Sequence, residues 1–401
     1  MNIPELLAPA GNLEKLKIAV HYGADAVYLG GKAFGLRNLA DNFTIEEMAV
    51  GIAYAHASKV KVYLTVNSYP DNADLDALAT YLKEIAPLPF DALIAADPGV
   101  IEMIREFAPD KTIHLSTQAN SVNWRSVSFW EKQGIARINL AREMTLADVQ
   151  ETAEKTAVEL ELFAHGAMCI SYSGRCLLSS VMSGRNANKG ECSHPCRWGY
   201  SLVEETRPGE YFPVMEDAAG TFIFNSKDLC LIEHLPEILA SGVASLKIEG
   251  RMKGIYYVAS VVRAYRAALD AIKGEGDAYR FRPEWLEELC KISHRGYTTG
   301  FLCGQPEDVG QEYRCSYLRT YLFVGVVEEK NPDGTFTIAV RNKINSGDIV
   351  ELMGPGMRND SFTASLTDEK GKPLEAANPN QRIKMLLPEG AAPNDLLRIS
   401  R

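Results

Sequence analysis

TIEEMAVGIAYAHASKVKVYLTV, residues 44–66, contains both halves of a repeating unit. Thr44-Ile45-Glu46-Glu47 reads as a capping box, in which the threonine side chain and the glutamate three residues on satisfy each other's backbone N–H groups. Met48, Ala49, Ile52 and Ala53 then recur at helical spacing. Beyond the polar Ser58-Lys59, Val60–Val66 is apolar and short, as a strand buried on both faces should be.

The alternation extends through the first 250 residues. Apolar runs at Glu5–Ala8, Ala26–Leu29, Ala92–Ala96, Ile113–Ser116, Arg137–Leu140, Val158–Ala164 and Ser245–Ile248 join Val60–Val66 to make eight. Amphipathic segments separate most of them, one beginning near Asn12 with Leu13, Leu16, Ile18 and Ala19 on its apolar side. Eight such units in series predict an α/β fold, a TIM-like (β/α)8 barrel with parallel strands and right-handed crossovers. A doubly wound open sheet is the competing architecture. No G-x-G-x-x-G follows the first strand, which weighs against a dinucleotide-binding sheet.

Active sites of such barrels lie at the C-terminal strand ends. Those ends carry Pro9-Ala10-Gly11, Gly30-Gly31, Asn67, Asp97, Thr117-Gln118, Arg142-Glu143, His165-Gly166 and Glu249-Gly250-Arg251. Glycine and asparagine also serve plain tight turns, so the polar and charged members are the better site candidates. The reading places a barrel at residues 1–275 with a cysteine-rich loop at 166–230, and a linker segment at 276–319. From about Thr320, short runs such as YLFVGVVEE and TFTIAVRN are separated by turns such as NPDG, which predicts a small C-terminal β-barrel over 320–401.

The 401 residues are 46% apolar and 23% charged, with a net charge of −10, which argues against a general polyanion binder. No apolar run approaches the roughly 20 residues that cross a bilayer. No basic segment followed by an apolar core opens the chain, so a cytoplasmic protein without membrane contact is expected. The charge reverses locally: Arg175, Arg185, Lys189 and Arg197 face only Glu191 between Gly166 and Tyr200.

The eight cysteines are Cys169, Cys176, Cys192, Cys196, Cys230, Cys290, Cys303 and Cys315, none of them in the first 168 residues. Structural zinc prefers paired C-x₂₋₄-C units, and Cys192-x₃-Cys196 with His194 supplies at most one. An iron–sulfur cluster tolerates irregular spacing among four converging thiolates. A redox dithiol of the C-x-x-C type is absent. Spacing alone leaves zinc and cluster open. A helix starting near Asp228 would put Cys230 in its first turn, where the dipole favours a thiolate.

The run ELFAHGAMCISYSGRCLLS at 161–179 resembles the signature of the collagenase-like peptidase family U, number thirty-two. Its fixed elements Glu161, Phe163, Gly166, Ala167, Cys169, Gly174, Cys176 and Ser179 are all present. ELLAPAGNLEKL, GADAVYLGG, CSHPCRW, SLKIEGR and SHRGYTTGF also look like this family, so the resemblance covers about residues 3–303, and the β-rich tail resembles the family's C-terminal domain. Neither H-E-x-x-H nor G-x-S-x-G occurs, so the peptidase label stands as the alternative activity. Within the family the chain most resembles the prephenate-dependent tRNA uridine 5-hydroxylation proteins. That resemblance implies an enzyme converting wobble uridine to 5-hydroxyuridine without oxygen, with prephenate as co-substrate. It also implies a [4Fe–4S] cluster on Cys169, Cys176, Cys192 and Cys230. Cys196 is the alternative to Cys192, because a cubane takes one thiolate per iron. A non-catalytic iron–sulfur scaffold working with a homologous partner subunit is a further alternative.

Three more expectations belong to this picture. Arg175, Arg185, Lys189 and Arg197 would approach tRNA phosphates, with Trp198 or Tyr200 stacking on an extruded base. Arg142 and Arg251 would fork the carboxylates of prephenate, while Lys247 would be a barrel-lining charge. His165 would relay protons near neutral pH.

Overall fold

The computed structural model describes residues 3–35, 41–168, 176–197, 202–203, 211–212, 227–303 and 320–400. Seven strands and six helices alternate at first: β1 (Glu5–Pro9), α1 (Leu13–His21), β2 (Ala26–Gly30), α2 (Ile45–Ala57), β3 (Lys61–Thr65), α3 (Leu75–Ile85), β4 (Ala92–Ala95), α4 (Pro98–Phe107), β5 (Thr112–Leu115), α5 (Trp124–Lys132), β6 (Arg137–Asn139), α6 (Leu146–Lys155) and β7 (Glu159–Ala167). Next come α7 (Leu178–Ser183), a short pair β8 (Leu202–Val203) and β9 (Tyr211–Phe212), β10 (Asp228–Cys230), α8 (Leu235–Ala240), β11 (Ser245–Ile248), α9 (Ile255–Glu275), α10 (Pro283–Cys290) and β12 (Tyr297–Thr298). All neighbours from β1 to β7 pair in parallel, and β11 pairs in parallel with both β7 and β1. The sheet therefore closes into an eight-stranded barrel, as the eight apolar runs predict. The capping box of α2 forms: Glu47 N donates to Thr44 Oγ1 at 3.2 Å and Thr44 N to Glu47 Oε2 at 2.9 Å.

Two cores result. Between strands and helices lies the large apolar layer, including Leu6, Val27, Leu64, Leu93, Leu162 and Leu246. Inside the barrel, Leu7, Ala26, Tyr28, Tyr63, Ala92 and Ile94 form a separate small cluster. Below and beside it the lumen is ionic. Arg137 Nη1 lies 2.6 Å from Glu5 Oε1 and 3.6 Å from Glu161 Oε2, and Lys247 Nζ lies 2.8 Å from Glu161 Oε1. Two buried cations thus meet the buried Glu161 and the half-buried Glu5, and Arg137 Nη2 also reaches the more exposed Glu159 Oε2 at 2.7 Å. Lys247 is the barrel-lining charge expected of it. Removing one partner from such a pair typically costs about 3–5 kcal/mol, because its mate is left buried and charged.

The segment after the cysteine-rich loop differs from expectation. Asp228–Cys230 is a strand, not the start of a helix, and pairs antiparallel with the last residues of β7, Cys230 opposite His165. The helix begins only at Leu235. Cys230 therefore draws no stabilisation from a helix dipole. Burial instead pushes its thiol up to about 12.

Residues 283–303, within the expected linker, pack onto the barrel: α10 lies against α9, and β12 extends the sheet beside β10. The C-terminal unit comprises β13 (Tyr321–Lys330), β14 (Phe336–Val340), β15 (Ile344–Asn345), β16 (Ile349–Met353), β17 (Asn359–Thr363), β18 (Leu366–Thr367), β19 (Pro373–Leu374), β20 (Ala376–Ala377), β21 (Arg382–Met385) and β22 (Leu396–Ser400). Its main sheet is antiparallel, in the order β17-β16-β22-β13-β14-β21-β18-β19. Among the described residues its end strands are not paired with each other, so the expected small barrel takes the form of an antiparallel sheet. This unit is tied to the first by buried charge. Glu288 accepts from Arg263 Nη2 at 2.7 Å and Arg398 Nη1 at 2.6 Å, all three side chains being buried. Among the described residues no helix is long and apolar enough to cross a membrane.

Candidate active site at the barrel mouth

Side chains two apart on a strand share a face, so the ion layer identifies which residues line the lumen above it. Arg137 on β6 points inward, and Asn139 follows it upward, 2% exposed and level with Glu161 of β7. His114 on β5 packs edge-on to Tyr63 inside the barrel, and Ser116 continues its face. Thr65 and Asn67 do the same above Tyr63 on β3.

Arg251, just beyond β11, reaches across the mouth. It is 3% exposed, and its guanidinium donates to Thr65 Oγ1 and Asn42 Oδ1, each at 2.7 Å. A Cβ on Gly30 would lie 2.6 Å from Arg251 Nη2 and 2.8 Å from Thr65 Oγ1. Gly30 is thus the clearance that lets the arginine in. Arg142, after β6, lies with its guanidinium carbon 3.7 Å from the Phe163 ring centroid, and its Nε has no hydrogen-bond partner among the described residues. Burial raises the carboxyl of neighbouring Glu143 above its usual range. The structure so brings Arg142 and Arg251 to the same end of the barrel.

A row of neutral polar groups completes the mouth. Asn67 Nδ2 donates to Ser116 Oγ at 3.5 Å, and Ser116 Oγ to Gln118 Oε1 at 3.1 Å. Gln118 Nε2 and Asn139 Oδ1 are buried without hydrogen-bond partners among the described residues. An unmade hydrogen bond in such a place costs about 1–3 kcal/mol, so these atoms are ones a ligand can satisfy. Gln118 stands among the strand-end residues read from sequence. Asn139 does not, because it is the last residue within its strand.

His165 lies elsewhere. The register between β7 and β11 shifts so that Phe163 pairs with Lys247 but His165 with Ile248. The extra residue turns His165 out of the lumen and under α9, among Tyr257, Tyr265 and Tyr297 at centroid distances of 5.9, 5.7 and 5.4 Å. It is 1% exposed, and desolvation drives its imidazole down to about 3. A ring held neutral and shut away from the mouth does not suit the proton relay expected of it.

The thiols do not assemble in what is described. Cys169 and Arg175 lie outside the described residues, as do Trp198, Tyr200 and the side chain of Arg197. Cys176, Cys192 and Cys196 are half-buried, and Cys192 Sγ lies 3.9 Å from His194 Nδ1. Cys230 Sγ is 3.9 Å from Tyr265 Oη. Among the described residues no three histidine, cysteine, aspartate or glutamate side chains are grouped to hold a metal ion. The topology gives a reason. Lys189 Nζ is 3.0 Å from Asp74 Oδ2 and also contacts Asp71, and Tyr69 N donates to Asn188 O at 3.1 Å, which ties this part of the loop to the β3 side. Cys230 sits at β7, four strands away in a ring of eight. The same contacts withdraw Lys189 from the expected set of phosphate-binding cations.

Comparison with known proteins adds what geometry cannot. The model of Peptidase family U32 matches residues 11–312, and that of the Peptidase family U32 C-terminal domain matches residues 319–398. The tRNA hydroxylation protein P1 of Bacillus subtilis (strain 168) is 44% identical over 98% of this chain and 94% of its own length. The tRNA hydroxylation protein P of Escherichia coli (strain K12) is 39% identical over 98% and 94% respectively. A 23S rRNA 5-hydroxycytidine synthase of Escherichia coli (strain K12) is 33% identical over 76% of this chain and 46% of its own length.

Proposed function

This chain belongs to Peptidase family U32, and from that membership we propose that it hydroxylates tRNA, at C5 of the wobble uridine, using prephenate rather than oxygen. The observation that carries the reading is the 44% identity running through both units of a protein named for tRNA hydroxylation, over 98% of this chain. The barrel mouth supports it. A dicarboxylate needs guanidinium forks, and Arg142 and Arg251 stand at the same strand ends. Arg251 is held ready by Thr65 and Asn42. Arg185, with Arg175 and Arg197, would meet the tRNA backbone, Lys189 being engaged with Asp71 and Asp74.

A [4Fe–4S] cluster on Cys169, Cys176, Cys192 and Cys230, with Cys196 as the alternative to Cys192, is part of the same proposal. It would supply one-electron chemistry. Among the described residues no three metal-ligating side chains are grouped. Protein purified without air should contain about four irons per chain; iron-free material would remove the cluster from the proposal. The reaction itself is tested by mass spectrometry of tRNA nucleosides. Deleting the gene should lower 5-hydroxyuridine, and unchanged levels in a strain with no second such gene would refute it.

A further inference from the structure

We propose that Gln118 and Asn139 form a recognition pair for the imide edge of a uracil base, which deepens the tRNA reading above and rests on it for the choice of base. Both side chains are nearly inaccessible, at 4% and 2% exposure, yet each has one atom with no hydrogen-bond partner among the described residues: Nε2 of Gln118 and Oδ1 of Asn139.

Their neighbourhood follows from register. His114 pairs with Arg137 and Leu115 with Ile138, so Ser116 comes level with Asn139 on the adjacent strand. Ser116 Oγ in turn holds Gln118 Oε1 at 3.1 Å. The register and this bond therefore bring the two amides to the same end of the lumen, on neighbouring strand ends.

The relay also sets which end of Gln118 is presented. Asn67 Nδ2 donates to Ser116 Oγ, leaving the serine proton for Gln118 Oε1. Nε2, a donor, is then the end left without a partner among the described residues. Asn139, on the neighbouring strand, offers Oδ1, an acceptor. A donor beside an acceptor complements uracil O4, which accepts, beside N3–H, which donates. A carboxylate has no proton for Asn139 and matches only half of the pair. The carboxylates of a co-substrate are better served by Arg142 and Arg251 on the same rim. Hydrogen bonds to a base edge, made by groups otherwise left buried and unpaired, discriminate strongly against an analogue that lacks one of them.

The test is ligand-observed NMR titration of the whole protein with uridine and with N3-methyluridine, in which the imide proton is replaced. Uridine should bind at least about tenfold more tightly than the methylated nucleoside, a difference on the scale of one such hydrogen bond. Asn139→Leu and Gln118→Met should each weaken uridine by a similar factor. Asn139→Leu should leave the melting temperature unchanged, since its Oδ1 has no partner among the described residues, whereas Gln118→Met also gives up the bond from Ser116 and should lower it slightly. Equal binding of the two nucleosides, or no uridine binding at tens of millimolar, would overturn the proposal. Variants that bind uridine as the parent does would do the same. If a variant does not fold, the comparison of nucleosides on the parent protein still decides. The titration needs no tRNA, prephenate or iron. Its failure is therefore distinct from loss of tRNA hydroxylation.

Discussion

At Gly30 any side chain would strike Arg251 Nη2 at 2.6 Å. Gly30→Ala is therefore expected to displace the arginine from Thr65 and Asn42 while leaving the barrel strands paired. Arg251→Lys keeps the charge but loses the fork, and hydrogen bonds to a charged group are worth about 1.5–3 kcal/mol. Either variant should lower tRNA hydroxylation at least about tenfold, measured as 5-hydroxyuridine at matched protein levels; activity within twofold of the parent would remove Arg251 from the site. Two of the buried imidazoles make a separate prediction. His114 and His165 are both held down to about 3, mainly by desolvation. Below an unfolded-state value of about 6.5 the unfolded chain binds these protons and the folded chain does not. Stability should then fall as pH drops from about 6.5, by roughly 1.4 kcal/mol per pH unit for each histidine. Urea denaturation between pH 7 and pH 5 measures this. A midpoint that does not move would show that these rings are not held neutral.

Among the elements, β7 carries the most consequences. The other barrel strands span three to five residues and β7 nine, Glu159–Ala167. The apolar run Val158–Ala164 marks only the first part of this strand; His165–Ala167, with which β10 pairs, lie beyond it, where the sequence reads as a strand end. The strand Asp228–Cys230 was not readable, because DLCLIEHLPEIL carries helical spacing throughout and three residues are too few to show a period of two. The outward turn of His165 was hidden for another reason. It depends on a one-residue register shift against β11, which leaves no mark on the pattern of residue types. The eight barrel strands were legible, since each is a short apolar run bounded by polar or glycine residues. So were Arg251 and Gln118, which follow strand ends. At this scale the prediction concerns the loop over the mouth. Lys189→Ala cuts its tie to Asp71 and Asp74. Limited proteolysis within 176–197 should become faster while the melting temperature stays within about 1 °C, as exposed pairs contribute little to global stability. Cleavage at the parental rate would show that the tether does not hold the loop.

Across the whole molecule, two buried ionic assemblies do different work. Glu5, Arg137, Glu161 and Lys247 fill the barrel below the mouth, whereas Arg263, Glu288 and Arg398 join the barrel unit to the C-terminal sheet. The second could not be foreseen from sequence, because its members lie up to 135 residues apart and none belongs to a local motif. Arg398→Met leaves Glu288 to Arg263 and Lys291, and Glu351 loses its guanidinium partner. Such a loss is worth about 3–5 kcal/mol and should lower the melting temperature by several degrees. Scanning calorimetry should also show the two units beginning to unfold apart, whereas an unchanged single transition would mean that the junction contributes little. The function proposed for the assembled molecule is tested most directly by complementation. In a strain lacking its own tRNA hydroxylation genes, expression of this chain should restore 5-hydroxyuridine at the wobble position, read by nucleoside mass spectrometry, and the Arg251→Lys form should not. Soluble, iron-loaded protein with no 5-hydroxyuridine in the tRNA would contradict the account.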